Sequence, residues 1–132
     1  MFWPVRTLWI GTAGFFGAVA RYRVDLWMGR RGAGRFPWGT LMVNVTGCFL
    51  LGLLLAWFTF RFRGGRPVNG DVRAAVTIGF VGAYTTFSTY ARETLRLGND
   101  GDFGLAFVYG AGSVVLGLVA VGAGSFVGRS LA

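Results

Sequence analysis

The stretch GFVGAYTTFSTYARE, residues 79–93, decides how this chain folds. It follows the apolar run 74–78 and carries no charge before Arg92, as expected of a segment inside a membrane. Yet it contains two glycines and a block of hydroxyl residues around Phe87, which are Thr85, Thr86, Ser88 and Thr89. Glycine and β-branched residues lower helix propensity, so the stretch predicts a membrane helix that is broken near its centre. Such a break is tolerated only where protein or water satisfies the freed backbone groups.

The composition is that of a membrane protein. The 132 residues are 54% hydrophobic and 17% aromatic, with a mean hydropathy of +0.57, which is too apolar for a soluble domain of this length. The length allows one domain. The sequence has no histidine and one cysteine, Cys48, which excludes a histidine-based acid–base pair and gives no support for a disulfide framework or a metal cluster.

Four apolar segments predict four transmembrane helices in a single domain spanning residues 1–132. Their approximate ranges are 7–28, 38–60, 73–96 and 103–128. A bilayer core of about 30 Å requires roughly 20 helical residues, and these segments have that length. The first is interrupted by Arg21, Arg23 and Asp25, and it lacks the small-residue cleavage site of a signal peptide. The fold class is therefore predicted to be an all-α membrane protein.

The net charge of +8 does not indicate nucleic-acid binding, because all thirteen basic residues are arginines that collect at segment ends. Six fall on the side of the N-terminus: Arg6, Arg61, Arg63, Arg66, Arg73 and Arg129. Seven fall on the opposite side: Arg21, Arg23, Arg30, Arg31, Arg35, Arg92 and Arg96. An arginine asymmetry normally sets orientation, and this chain has almost none. Either another feature sets the orientation, or copies insert both ways and pair as an antiparallel dual-topology dimer.

Glycines recur at spacings that bring helices together in lipid. Gly11, Gly14 and Gly17 recur every three residues in the first segment, and Gly124 and Gly128 form a small-xxx-small pair in the fourth. Small residues allow close approach of helix backbones where no hydrophobic force drives association. This indicates a compact bundle. Four short helices seldom enclose a pore alone, so an oligomer is expected.

Polar side chains in the predicted helices have two possible roles. Asn44 lies in an apolar run with Thr40 one turn earlier, and Tyr109 and Ser113 share one helix face. Each can form an interhelical hydrogen bond or contact an ion. Unwound carbonyls at a helix break can coordinate a cation. Phe87 and Tyr90 face one way, and the positive edge of an aromatic ring can hold an anion.

The chain resembles the fluoride channels called Fluc or CrcB over nearly its whole length. The first segment has GTAGFFGAVARY, residues 11–22, and the second has FPWGTLMVNVTGCFLLG, residues 36–52. The third has the stretch at 79–93, similar to the family's Gly-Phe-x-Gly-x-x-Thr-Thr-Phe-Ser-Thr-Phe box, and Tyr109 and Ser113 match a polar pair in the fourth. The resemblance implies passive fluoride export across the plasma (inner) membrane, with no enzymatic chemistry, by an antiparallel homodimer with two pores.

The resemblance also implies residue roles. Phe87 and Asn44 match pore-lining positions, and Arg21 matches an arginine near the pore vestibule. The polar track and its surroundings are matched by Thr40, Ser88, Thr89, Tyr109 and Ser113. The backbone carbonyls of Gly82 and Thr85 match ligands of a structural sodium ion at the dimer centre.

The sequence departs from the family pattern at three positions. Tyr90 stands where a second pore phenylalanine is usual, and its hydroxyl could narrow the pore or donate a hydrogen bond. Cys48 replaces a common serine and Ala83 a common glycine. Because some members pair non-identical subunits that each keep one working pore, a heterodimer with a paralogous subunit stays open.

Two other functions remain as alternatives. A small multidrug-resistance-type transporter also has four short helices, but it needs a carboxylate deep in the first helix, and Asp25 is the sole candidate. In a non-transporting membrane assembly protein, the hydroxyl and aromatic block would only pack. No phosphate-binding loop is present, because GRRGAGR, residues 29–35, lacks the Gly-Lys-Ser/Thr ending.

Overall fold

The structure is a computed structural model that describes residues 3–31, 34–62, 65 and 68–132. Within these ranges the chain is helical and contains no strand. The helices are α1 (Trp3–Arg31), α2 (Trp38–Arg61), α3 (Gly70–Ala74), α4 (Gly82–Tyr84), α5 (Phe87–Asn99) and α6 (Phe103–Ser130), with a π-helical segment, Ala75–Val81, between α3 and α4. The predicted all-helical fold with four helical segments is confirmed, the third segment being residues 70–99.

The two most apolar helices, α2 and α6, pack closely along their length. Within the described residues, these two are long and apolar enough to cross a bilayer by length and composition. Glycines bring them together: a Cβ atom on Gly124 would overlap the carbonyl of Phe49, and one on Gly128 would overlap that of Leu53. The predicted small-xxx-small pair therefore lies at a backbone contact.

Helix α1 packs against the first half of the third segment. A Cβ atom on Gly17 would overlap the carbonyl of Phe80, while Gly14 faces Gly79 across an ordinary van der Waals distance. A Cβ atom on Gly11 would have no neighbouring atom within 4 Å. Large apolar side chains on the other faces of α1 are exposed, including Leu8, Trp9, Phe15 and Phe16. Such a continuous apolar surface suits contact with lipid or with a protein partner.

The third segment is interrupted at its middle. It starts at Gly70 and is capped by Asn69, whose side chain accepts a hydrogen bond from the backbone of Asp71 at 2.8 Å. It then widens into the π-helical turn before α4. Thr85 and Thr86 then adopt extended backbone angles, with ψ of 159° and 112°. Helix α5 begins at Phe87. The break thus falls inside the hydroxyl block of the sequence.

Two ion pairs join neighbouring segment ends. Arg6 contacts Asp71 at 2.6 Å, which holds the start of α1 beside the start of the third segment. Arg35, just before α2, pairs with Asp102, just before α6. Both pairs are partly exposed and contribute about 1 kcal/mol or less each. They place the segment ends as the alternating up-and-down path requires. Arg63 and Arg66, counted above on the side of the N-terminus, lie outside the described residues.

Candidate functional site

The side chain of Asn44 forms hydrogen bonds with the backbone groups that the helix break leaves free. Its Oδ1 accepts a hydrogen bond from the Thr86 N–H at 2.7 Å, and its Nδ2 donates to the Thr86 carbonyl at 3.1 Å. These two bonds replace helical bonds that extended backbone cannot make, so the backbone N–H and carbonyl of Thr86 are both satisfied at the break. An amide nitrogen carries two protons, and the described residues offer no acceptor for the second. Asn44 is therefore an interhelical partner that retains one free donor.

The hydroxyl block caps α5. Thr86, which is 7% exposed, accepts a hydrogen bond from the Thr89 N–H at 3.2 Å and donates to the Thr89 hydroxyl at 3.0 Å. The Ser88 hydroxyl lies 3.3 Å from that of Thr86. Side-chain oxygens at this position satisfy the free N–H groups of the first turn. The predicted residues Ser88 and Thr89 thus belong to one hydroxyl cluster at the positive end of α5.

The break also frees the backbone carbonyls of Gly82, in α4, and of Thr85, which follows α4. The N–H groups that would serve Gly82 and Thr85 in a continuous helix belong to Thr86 and Thr89, and both are bonded elsewhere. The Thr85 carbonyl accepts a long hydrogen bond, 3.4 Å, from the Arg21 guanidinium, which leaves one lone pair. Gly82 is exposed. Oxygens of this kind suit a cation, whereas no cluster of acidic, histidine or cysteine ligands occurs in the described part of the chain.

Six of the predicted residues line one cavity of about 430 Å³, whose walls are formed by α2, the third segment and α6. They are Asn44, Gly82, Thr85, Phe87, Tyr90 and Ser113. The remaining walls are mostly apolar and include Cys48, Leu51 and Val121. The lining contains no ionisable carboxylate. Few polar atoms thus converge in an otherwise apolar space, which is typical of a ligand site.

A row of aromatic rings leads away from the break. The Phe87 ring is 78% exposed on the single chain, and its centroid lies 5.5 Å from that of Tyr90. Tyr90 is in turn 5.6 Å from Tyr109, which meets Phe36 edge-on at 5.4 Å. The Tyr90 hydroxyl donates to the Gly110 carbonyl at 2.8 Å. This hydroxyl is therefore engaged on α6 and is not a free donor in the cavity.

Glu93 is a site residue that the sequence did not reveal. Its carboxylate accepts a hydrogen bond from the fully buried Tyr109 at 2.8 Å. Thr40 lies beside the same hydroxyl and lines, with Glu93 and Asp25, a second cavity of about 260 Å³. Of the predicted residues, Thr40 thus lines the second cavity, while Arg21, Ser88, Thr89 and Tyr109 line neither of the two. Glu93 follows Tyr90 by three residues, so its place on the same helix face was the available signal.

Ser113 has an unusual environment. Its hydroxyl oxygen is buried and, among the described residues, has no hydrogen-bond partner. It lies at the wall of the first cavity. A buried polar atom without a partner is costly in an apolar setting. Ser113 is thus a polar group at the cavity wall whose hydrogen-bonding capacity the described residues leave unused.

Comparison with known proteins identifies close relatives. The sequence profile described as "CrcB-like protein, Camphor Resistance (CrcB)" matches residues 8–125. The chain is 42% identical over 127 residues to the "Fluoride-specific ion channel FluC" of Acidobacterium capsulatum, covering 96% of this chain and 98% of the relative. It is 44% identical over 124 residues to "Fluoride-specific ion channel FluC 2" of Moorella thermoacetica, covering 94% and 97%. Identity to the FluC 2 protein of Geobacillus kaustophilus is 45% over 115 residues, covering 87% and 86%.

Proposed function

The chain belongs to the CrcB family, and from this membership we propose that it is a fluoride-specific ion channel that passively exports fluoride from the cell. The family's channels are transporters and not enzymes, so no catalytic residue is assigned. One observation carries the proposal. The cavity of about 430 Å³ brings Asn44, Phe87, Tyr90 and Ser113 together, with polar donors and aromatic edges and no carboxylate in its lining.

The chemistry of this cavity suits a small anion. Fluoride must replace part of its hydration shell, which requires donors that have no other partner. The Ser113 hydroxyl and the second Nδ2 proton of Asn44 are such donors. The edge of the Phe87 ring offers partial positive charge without a counter-ion. Because each of these groups binds the anion only weakly, the anion can enter the path and also leave it.

The driving force needs no energy source in the protein. Hydrogen fluoride is neutral, crosses the bilayer, and ionises at the higher pH of the cytoplasm. A negative interior then favours outward movement of the anion by about 2.3 kcal/mol per charge per 100 mV. A passive pore in the plasma membrane, with the chain crossing it several times, is sufficient to lower internal fluoride.

We further propose an antiparallel dual-topology dimer with two pores, each built from both subunits. The near-equal arginine counts support insertion in both orientations. The exposure of Phe87 supports a second subunit, because an apolar ring at a polar break is more stable when covered. The partner is a second copy of this chain. A paralogous subunit is the alternative, with which the numbered names of two relatives are compatible.

A structural sodium ion at the dimer centre is part of the same proposal. The freed carbonyls of Gly82 and Thr85 fit it in chemistry, and two subunits would supply four oxygens. The ion would offset the partial charges of these carbonyls where the two breaks meet. Thermal unfolding of the purified dimer in sodium and in a bulky organic cation tests the site. A higher melting temperature in sodium is expected, and equal melting would argue against the ion.

The two alternative functions find less support. A multidrug transporter needs a carboxylate in the middle of a helix, whereas Asp25 lies six residues before the end of α1, with its carboxylate against Gly39 at the start of α2. A pure assembly protein gives no reason for the unpartnered Ser113 hydroxyl.

Ion efflux from proteoliposomes tests the proposal. Vesicles containing purified protein are loaded with both fluoride and chloride, and a valinomycin-mediated potassium flux balances the charge. Ion-selective electrodes follow each anion. Rapid release of fluoride with retention of chloride is expected. Release no faster than from protein-free vesicles, or equal release of both anions, would overturn the proposed function.

A further inference from the structure

The side chain of Thr85 is held in one conformation at the break. Its hydroxyl donates a hydrogen bond to the Val81 carbonyl at 3.1 Å, and its backbone N–H donates to the same carbonyl at 3.1 Å. A β-branched side chain has few χ1 states, and the hydroxyl bond fixes one of them. The Cγ2 methyl group of Thr85 therefore has a fixed direction, and it cannot rotate away without breaking the hydroxyl bond to Val81.

This methyl group lies against Gly47 of α2. A Cβ atom on the buried Gly47 would overlap the Cγ2 atom of Thr85. The next neighbours of such a Cβ atom would be a ring carbon of Tyr84 at 3.3 Å and the Cβ atom of Thr85 at 3.7 Å. Because the methyl group cannot turn aside, a larger residue at position 47 would displace Thr85 as a whole.

The peptide group that joins Thr85 to Thr86 is held by the same helix. Asn44, one turn before Gly47, accepts a hydrogen bond from the Thr86 N–H at 2.7 Å. In a planar trans peptide, the N–H and the preceding carbonyl point in opposite directions. The Thr85 carbonyl therefore points away from Asn44. Two residues of α2 thus set this oxygen: Asn44 sets its direction, and Gly47 sets how closely Thr85 approaches α2.

We propose that Gly47 is a positioning residue for the structural cation, because the space beside it fixes where the Thr85 carbonyl lies. The inference rests on the sodium ion of the proposed function. Metal–ligand distances hold to within about 0.2 Å. Relief of the overlap between two methyl groups requires a larger displacement, and Thr85 would carry its carbonyl along. Gly47 supplies no ligand atom in this arrangement and acts through Thr85.

The proposal predicts that Gly47→Ala weakens sodium binding in addition to disturbing the packing. Melting of the purified dimer is followed at rising sodium concentrations, with N-methylglucamine holding the total salt constant. Stabilisation sets in where the sodium concentration exceeds the dissociation constant, and we expect this concentration to rise about tenfold in Gly47→Ala. A melting temperature lowered equally at every sodium concentration would show a packing role alone and overturn the inference.

A compensating substitution keeps the test decisive even if Gly47→Ala does not fold. Thr85→Ser removes the Cγ2 methyl group and keeps the hydroxyl bond to Val81. The double variant with Gly47→Ala then has room for the new methyl group after a small movement of the Tyr84 ring. It should regain most of the sodium dependence, and Thr85→Ser alone completes the double-mutant cycle. A double variant that does not assemble, or that responds to sodium as poorly as Gly47→Ala, would overturn the inference.

Gly52→Ala is the matched control in the same helix. Its new Cβ atom would overlap the Val121 carbonyl of α6, so the substitution disturbs the packing of α2 away from the break. Melting should fall at every sodium concentration, while the sodium dependence stays that of the intact protein. A response to sodium weakened as much as in Gly47→Ala would contradict the inference.

Fluoride efflux from the same preparations separates this inference from the proposed function. Absence of efflux from the intact protein would overturn the proposed channel. Melting of the intact protein that does not respond to sodium would overturn the cation site and, with it, the role of Gly47. A normal sodium response in Gly47→Ala would overturn the role of Gly47 alone, so the failures are distinguishable.

Discussion

The side chain of Asn44 forms two hydrogen bonds with the backbone of Thr86, accepting from its N–H at 2.7 Å and donating to its carbonyl at 3.1 Å. One amide thereby takes the place of helical bonds on both sides of the break. The contact joins α2 to the third segment across 42 residues of sequence. It also fixes the wall of the cavity from which Phe87 and Tyr90 project. The stability of the break and the shape of the proposed pore thus depend on the same residue.

We predict that Asn44→Asp abolishes fluoride efflux. An ionised carboxylate can accept from the Thr86 N–H but cannot donate to the Thr86 carbonyl, and it repels an anion in the cavity. An unpaired buried carbonyl costs about 1–3 kcal/mol, so melting should also fall, while the dimer still assembles. Efflux and size-exclusion profiles are measured on the same preparations. Asn99→Asp, at the exposed end of α5, is the control and should conduct normally. Unchanged efflux in Asn44→Asp would remove this residue from the pathway.

The close contact between α2 and α6 yields a stability prediction. In Gly124→Ala the new methyl group would overlap the Phe49 carbonyl, and backbone cannot move aside as a flexible side chain can. Overpacking of this kind costs about 1–3 kcal/mol, so the melting temperature should drop. Gly122→Ala is matched in chemistry and helix, and its Cβ has no neighbour within 4 Å. Equal melting of the two variants would show that the helices tolerate separation.

The arginine distribution predicts insertion in both orientations. A reporter fused to the C-terminus should be detected on both sides of the membrane. Adding one or two arginines to the loop before α2 should shift the population toward one orientation. The same number of arginines placed within the loop before α6 is the control for loop identity and should act in the same direction, because both loops lie on one side. A C-terminus found on a single side in the unmodified protein would exclude dual topology.

Much of the fold could be predicted because membrane helices are constrained by length and apolarity. The second and fourth predicted segments, 38–60 and 103–128, differ from α2 and α6 by no more than two residues at an end. The third starts at residue 70, earlier than the predicted 73, because Asn69 caps it. The break could be predicted from the hydroxyl block, since such side chains favour caps over helix interiors. The π-helical turn could not be predicted from the sequence, because that segment packs against α1.

The sequence predicts a set of residues for the candidate site but not the contacts between them. Sequence patterns identify Asn44 and Ser113 as polar groups in apolar helices and Tyr90 as a ring that faces the same way as Phe87, and these residues line one cavity. The pairs Tyr90–Gly110 and Tyr109–Glu93 depend on how α5 and α6 are rotated about their axes. Side-chain spacing along one helix holds no information on that relative rotation. For this reason the sequence alone allows two roles for the Tyr90 hydroxyl, whereas in the structure it donates to the Gly110 carbonyl.

The central claim is that fluoride passes the aromatic edge at the break, and Phe87→Ile tests it most directly. Isoleucine fills a similar volume but has no ring quadrupole, so the electrostatic contribution is lost while packing changes little. Phe126→Ile is the control, because that ring is 74% exposed on the same subunit and is not among the cavity residues. Fluoride efflux and dimer melting are measured on the same samples. The account predicts a severe loss of efflux in Phe87→Ile with melting close to that of the intact protein, and full efflux in Phe126→Ile. Full fluoride efflux with lowered melting in Phe87→Ile would contradict it, since the ring would then serve packing alone.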